Sequence, residues 1–198
     1  METKQIIEES LLRSISYETY RSLISQLVAE GRSSGPVQSD ELIAYTAINE
    51  KRMNRLDKII KIQEDKAEFF ANYKKKVTFL VITESWCGDA AQIVPVINKI
   101  SQLSPIINTK IVFRDENEAL MNLYLTNGGK AIPIVVILDG ENNVITHWGS
   151  RPSTATRMVE DYKAKHGKLT PEFKEDLQKW YNQDKGVTII DDFLKILF

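Results

Sequence analysis

The sequence predicts an α/β fold with a mixed, mainly parallel sheet in the middle of the chain and helices on both sides of it. Two observations predict the sheet. Between residues 77 and 138, short apolar segments rich in β-branched residues alternate with helical segments, which is typical of parallel strands joined by helices. A polar turn and one more apolar segment then add an antiparallel edge hairpin. Amphipathic stripes at both ends of the chain predict the flanking helices.

Residues 1–64 are predicted to be a helical extension. Apolar residues recur at three- and four-residue intervals up to about residue 30, which predicts one helix there. The glycine- and proline-containing segment 31–36 ends that helix, and Ser39 is a good N-cap for a second long helix. Because two helices have little core of their own, we expect this extension to pack on residues 65–198.

The remaining elements follow from short apolar runs and from helix caps. The predicted strands are Val77–Ile82, Thr109–Phe113, Ile134–Leu138 and Val144–Trp148, with helices at about 89–103 and 116–125 between them. The turn Gly140–Asn143 joins the last two strands. Further helices are predicted at 153–166, 171–183 and from 188 onward, and Thr170 with Pro171 marks the start of the middle one.

Composition and charge exclude several classes of function. The 198 residues carry 26 Lys and Arg against 27 Asp and Glu, a formal net charge of -1. Because the chain has no excess of positive charge, we expect neither nucleic acid nor a membrane surface as a partner. Apolar runs are far shorter than the ~18 residues that span a bilayer, and the N-terminal sequence does not resemble a signal peptide. We therefore expect a cytoplasmic protein.

A single cysteine limits the possible chemistry. Cys87 can form no disulfide within the chain and no all-cysteine metal cage, and no His lies at ligand spacing from it. The sequence also has no nucleotide-binding fingerprint. We therefore predict no metal and no cofactor.

Cys87 lies between the first predicted strand and the helix that follows. In an α/β sheet, sites favour the carboxyl ends of strands. A helix N-terminus lowers the pKa of a thiol from about 8.5, because free N–H groups and the helix dipole stabilise the thiolate. Asp89 opposes this effect by like-charge repulsion. The sequence leaves the direction of the pKa shift open.

Two motifs in this order resemble the thioredoxin superfamily. Trp86-Cys87-Gly88 follows a buried strand and opens a helix, and Ile132-Pro133 precedes the strand at 134–138. The resemblance covers about residues 65–165. It is strongest to bacterial thioredoxin-like proteins with a helical N-terminal extension and a single-cysteine Trp-Cys-Gly-Asp motif. It implies a thioredoxin-like core, a cis bond before Pro133, and a proline turn that lies against Cys87.

The same resemblance implies which residues form the site and what they bind. Cys87 would be the catalytic nucleophile. The residues expected to bind substrate are Trp86, Gly88, Asp89, Ile132 and Pro133. The implied partner is a protein or a low-molecular-weight thiol or disulfide similar to glutathione.

Two departures from the family pattern limit the predicted activity. Ala90 stands where thioredoxins have their second cysteine, and Val81 stands where they have a buried acid. Without a resolving thiol the chain cannot form and release an intramolecular disulfide. The sequence therefore predicts monothiol thiol–disulfide exchange through Cys87 in cell redox homeostasis.

Other interpretations of these residues stay open at this point. Ala90 in place of the second cysteine and Val81 in place of the buried acid are also compatible with a non-catalytic thioredoxin-fold binding or scaffold module. An iron–sulfur role like that of monothiol glutaredoxins ranks last, since that resemblance ends at Cys87-Gly88. Trp86 could line a substrate surface or pack within the protein. Glu84 could act on a proton near Cys87, but a solvated loop residue is the better expectation for it.

Overall fold

The computed structural model describes residues 2–198, which contain four strands and nine α-helices. The strands are β1 (Val77–Thr83), β2 (Ile107–Phe113), β3 (Ile134–Leu138) and β4 (Val144–Gly149). The helices before the sheet are α1 (Thr3–Arg13), α2 (Tyr17–Ala29), α3 (Asp40–Ile59) and α4 (Glu64–Ala71). The later helices are α5 (Gly88–Ser101), α6 (Glu118–Asn122), α7 (Ser153–His166), α8 (Pro171–Asp184) and α9 (Val187–Leu197). The predicted α/β class, with helices on both sides of a mixed sheet, is confirmed.

The expectation of a mainly parallel sheet is wrong. The strand order is β2-β1-β3-β4, and only β1 and β2 run parallel, because β3 is antiparallel to both β1 and β4. The connection between β2 and β3 does not cross the sheet, because it buries Leu120 and Met121 of α6 beside α1 at the end where β1 and β2 stop. The chain re-enters the sheet at that end, where Ile134 pairs with Ile82.

The N-terminal segment forms two helices where one was expected. The chain is extended at Ile15, which exchanges two backbone hydrogen bonds of 2.9 Å with Ile111 at the edge of β2. This pairing covers part of the outer edge of the sheet, and it interrupts the helix that the apolar spacing predicts. Helices α2 and α3 pack against β2 and α5, and they bury the side chains of Tyr20, Ile24 and Met53 in the common core. The boundary at residue 64 stays a prediction.

The centre of the sheet is covered on both faces. Every residue of β1 and β3 is buried, and buried strands of this kind need packing layers on each side. On one face, Phe193 of α9 meets the ring of Phe79 edge-on at 5.0 Å and the ring of Trp148 at 5.4 Å. The C-terminal helices are therefore part of the same core. No helix between residues 2 and 198 is long and apolar enough to cross a bilayer.

Candidate active site

Cys87 lies at the end of the sheet where β1 stops and where β3 begins. It is the N-cap residue of α5, and its Sγ accepts a hydrogen bond from the backbone N–H of Ala90 at 3.4 Å. The thiol donates to the carbonyl oxygen of Ile132 at 3.3 Å. The peptide bond between Ile132 and Pro133 is cis. The structure thus brings two segments 45 residues apart in the chain into direct contact at the sulfur.

The electrostatic surroundings of Cys87 favour the protonated thiol. Burial, followed by the nearby Asp89 carboxylate, raises the pKa of Cys87 to about 12. The N–H groups of Ala90 and Asp89 and the charge of Arg151 oppose this rise without offsetting it. A hydrogen bond from the thiol to the Ile132 carbonyl acts in the same direction, because the thiolate cannot donate. The sequence leaves the direction of the pKa shift of Cys87 open, and in the structure the shift is upward.

Asp89 is held by two residues that sequence reasoning missed. Its Oδ2 lies 2.8 Å from Nη2 of Arg151, and its Oδ1 accepts a hydrogen bond from the Tyr181 hydroxyl at 2.9 Å. Burial raises the pKa of Asp89, and these two partners oppose that rise. Arg151 follows β4 and Tyr181 lies in α8, so no local motif joins them to Asp89. The only sequence signal is the apolar stripe of α8, to which Tyr181 belongs.

Gly149 allows the end of β4 to approach the proline turn. Its φ is +134°, and a Cβ at this position would lie 2.4 Å from the carbonyl oxygen of Pro133. Only glycine avoids both the backbone strain and the clash. Arg151 follows two residues later, and its Nη2 lies 2.8 Å from Oδ2 of Asp89.

The other expected substrate-binding residues border Cys87 on the chain. Gly88 lies beneath α3 and α8, because a Cβ there would meet Nη1 of Arg52 at 3.4 Å and Nε2 of Gln178 at 3.7 Å. Trp86 is partly buried, and the guanidinium carbon of Arg114 lies 4.8 Å from its ring centroid. That distance is typical of a cation–π contact. The ring of Trp86 therefore packs against the protein on at least one side.

Glu84 is fully buried, so its interpretation as a solvated loop residue is wrong. Its carboxylate accepts a hydrogen bond from the Ser34 hydroxyl, and its Oε1 accepts one from the backbone N–H of Asp115 at 2.9 Å. Burial raises the pKa of Glu84, and these hydrogen bonds oppose the rise. Glu84 thus joins the end of β1 to the loop between α2 and α3.

Ser85 extends this connection to α3. Its backbone N–H donates to Oγ of Ser34 at 2.8 Å, and the Ser34 N–H donates back to Oγ of Ser85 at 2.9 Å. The carbonyl of Ser85 accepts a hydrogen bond from Nδ2 of Asn49 at 2.9 Å. The hydroxyl groups of Ser85 and Thr46 are hydrogen-bonded to each other at 2.9 Å. We call this network the Ser34 clamp: Ser34, Thr46, Asn49, Glu84 and Ser85. It holds the turn that presents Cys87.

The fold agrees with comparisons to known proteins. A family model described as thioredoxin matches residues 35–163, which is more than half of the chain. The chain belongs to this thioredoxin family. No curated protein matches it significantly.

Two solved structures are similar to this thioredoxin-family chain as a whole. One is a protein of unknown function from Pseudomonas aeruginosa, 20% identical, with a TM-score of 0.58 over 92% of this chain and 96% of that one. The other is an HIV epitope-scaffold, 20% identical, with a TM-score of 0.56 over 92% of this chain and 97% of that one. At this identity the likeness shows the fold alone. The resemblance to bacterial proteins with a helical extension stays a prediction.

The two departures from the thioredoxin pattern lie inside the core. Ala90 and Val81 are both fully buried, and their apolar side chains offer Cys87 neither a thiol nor a carboxylate. Within residues 2–198, no group of three or more His, Cys, Asp or Glu side chains could hold a metal ion. The charged side chains that act on the pKa of Cys87 are those of Asp89 and Arg151.

Removing the central hydroxyl of the Ser34 clamp should destabilise the protein. We expect Ser34→Ala to lower the free energy of unfolding by about 2–3 kcal/mol, because it leaves the buried Glu84 carboxylate and the Ser85 N–H each short of a partner. Urea denaturation measures the loss. The matched control is Ser33→Ala. It removes a buried hydroxyl that donates only to the carbonyl of Val37 in its own loop. Equal losses in the two variants would contradict the clamp.

The raised pKa of Cys87 predicts a loss of stability at alkaline pH. The folded state keeps the thiol proton until about pH 12, whereas the unfolded chain releases it near pH 8.5. The contribution is therefore complete below pH 8.5 and is lost above it, by about 1.4 kcal/mol per pH unit. In urea denaturation at pH 8 and pH 10, the wild type should lose about 2 kcal/mol more than Cys87→Ser, which does not titrate in this range. The same pH dependence in both proteins would contradict the raised pKa.

Proposed function

We propose that this protein carries out monothiol thiol–disulfide exchange through Cys87, as part of cell redox homeostasis. The observation that carries the proposal is the position of Sγ, between the N–H groups that open α5 and the carbonyl of Ile132. The N–H groups can stabilise a thiolate. The turn at Ile132 and Pro133 supplies backbone groups to a partner that approaches the sulfur. The expected partner is a protein or a small disulfide similar to oxidised glutathione.

The exchange proceeds in two balanced steps. Cys87 loses its proton to solvent, and the thiolate attacks one sulfur of a disulfide. A bond forms between Cys87 and that sulfur, the original disulfide bond breaks, and the second sulfur leaves as a thiolate that takes a proton from water. A second thiol from solution, as its thiolate, then attacks the partner sulfur of the mixed disulfide: a new disulfide forms between the two, the bond to Cys87 breaks, and the Cys87 thiolate takes a proton from water. The external thiol is required because Ala90 supplies no resolving thiol. Turnover therefore depends on the concentration of the external thiol.

Asp89 restrains the proposed reaction in the resting protein. Its negative charge raises the pKa of Cys87, while Arg151, bound to Asp89, lowers it. Only a small fraction of Cys87 is thiolate at neutral pH, so attack on a disulfide is slow there and accelerates as the pH rises. Neutralising Asp89 leaves the charge of Arg151 to favour the thiolate.

A second candidate function is a non-catalytic thioredoxin-fold binding module. The burial of Cys87, which is 8% exposed, and its raised pKa favour this candidate. In such a module the fold supplies a rigid core, and the added helices bind the partner. The two candidates differ in whether Cys87 reacts with disulfides at all.

Formation of a mixed disulfide tests the proposal. After incubation with oxidised glutathione between pH 7 and pH 9.5, mass spectrometry should detect one adduct at Cys87, formed faster at higher pH. Asp89→Asn should accelerate the reaction at pH 7 about threefold, because losing the adjacent charge lowers the pKa of Cys87 by about one unit, which raises the thiolate fraction about tenfold and lowers its nucleophilicity about threefold. Asp161→Asn, which neutralises an exposed carboxylate on α7, should leave the rate unchanged. No adduct in the wild type or in Asp89→Asn at any of these pH values would support the binding module instead.

Restoring the missing thiol should add a second activity. The wild type should reduce insulin disulfides poorly in the presence of thioredoxin reductase, because it cannot release its partner. Ala90→Cys should give measurable reduction, since a thiol at this position of α5 can attack the mixed disulfide. Ala91→Cys, one residue further along the same helix, is the control and should stay inactive. Strong reduction by the wild type would contradict the monothiol mechanism.

A further inference from the structure

A groove of about 580 Å³ lies between β4, α7 and α9, beside the site of Cys87. Its volume is within the range of small-molecule sites. Its walls include Trp148, Arg151, Thr156, Arg157, Asp192 and Lys195. Arg151 belongs to both places, because it lines the groove and also binds Asp89.

The groove has an excess of positive charge. Oδ2 of Asp192 accepts hydrogen bonds from Nε1 of Trp148 at 3.1 Å and from the backbone N–H of Ser153 at 2.8 Å. This carboxylate therefore connects α9 to β4 and to the start of α7. Arg157 and Lys195 are exposed, and within residues 2–198 neither forms an ion pair. Three cations thus face the groove, with one carboxylate that is already engaged.

Arg151 also has a donor without an acceptor. Its Nη2 binds Asp89, but its Nε is buried and finds no hydrogen-bond partner among residues 2–198. A buried donor without a partner costs free energy. A guanidinium presents its donors in a planar fork that matches the oxygens of a phosphate or carboxylate. The Arg151 side chain is 24% exposed, so an anion in the groove meets the exposed part of the guanidinium and not the buried Nε, while Asp89 keeps Nη2.

We propose that this groove is a binding site for a small phosphorylated molecule, held by Arg151, Arg157 and Lys195. The three cations are the donors that the groove offers, because the Thr156 hydroxyl already donates to the carbonyl of Arg151 at 3.2 Å. A phosphate group offers several acceptor oxygens to such a set, and Trp148 supplies an apolar wall for the remainder of the molecule. This inference does not depend on the proposed exchange reaction.

Occupancy of the groove should change the reactivity of Cys87. Arg151 favours the thiolate of Cys87 through its positive charge. A phosphate bound to Arg151 offsets part of that charge, so the thiolate becomes scarcer. The groove therefore acts as a site from which a small anion slows the chemistry of the cysteine.

Calorimetric titration with inorganic pyrophosphate tests the site in the full-length protein. We expect saturable binding at constant ionic strength, weakened at least tenfold in the double variant Arg157→Gln with Lys195→Gln. Both side chains are exposed, so the double variant should fold. The matched control is Lys163→Gln with Lys165→Gln, which removes two exposed charges from α7 outside the groove and should bind as the wild type does.

The rate of alkylation by iodoacetamide, an uncharged reagent, tests the coupling to Cys87. Saturating pyrophosphate should slow alkylation severalfold in the wild type and in the lysine control, and should leave the groove variant unchanged. Absence of saturable binding, or equal binding by the groove variant, would overturn the site. Citrate of similar charge should bind more weakly, and equal affinity for citrate would overturn the assignment to phosphate.

Discussion

The buried carboxylate of Glu84 is the constraint on which the arrangement around Cys87 depends. A carboxylate at the end of a central strand is costly to bury unless hydrogen bonds compensate it. Here the compensation comes from Ser34 and from the backbone of Asp115. Because Ser34 also binds Ser85, the loop before α3 is held against the turn that leads to Cys87. The helical extension thereby becomes part of the site, and α3 brings Arg52 over Gly88.

The protonation state of the buried Cys87 thiol depends on its burial and on two nearby charged side chains, Asp89 and Arg151. The N-terminus of α5 favours the thiolate, but burial and Asp89 outweigh it. Arg151 is the residue that connects the remaining parts, since it binds Asp89 and also lines the groove beside α7. Any ligand or substitution that changes the charge of Arg151 or Asp89 also changes the pKa of Cys87. The proposed exchange and the proposed anion site therefore share one pair of residues.

The topology of the sheet explains why these groups meet. The connection through α6 stays at one end of the sheet, so β3 starts where β1 ends, with Ile134 paired to Ile82. Gly149 at the end of β4 pairs with Ile134 at the same edge. Three chain segments therefore converge at one end of the sheet: the turn before α5, the turn at Pro133, and the segment that carries Arg151. Helix α8 completes the site with Tyr181.

Local patterns in the sequence by itself determined the elements and the place of the cysteine. Strand β3 and the helix starts after Ser39 and Thr170 were predictable because caps, turns and β-branched runs act over a few residues. The tertiary structure decided the rest: the pairing of Ile15 with β2, the direction of β3, the burial of Glu84, and the approach of Arg151 and Tyr181 to Asp89. These features join residues up to 96 positions apart, so no local pattern encodes them. The pKa of Cys87 belongs to the second group, because it depends on burial and on charges that only the complete fold brings together.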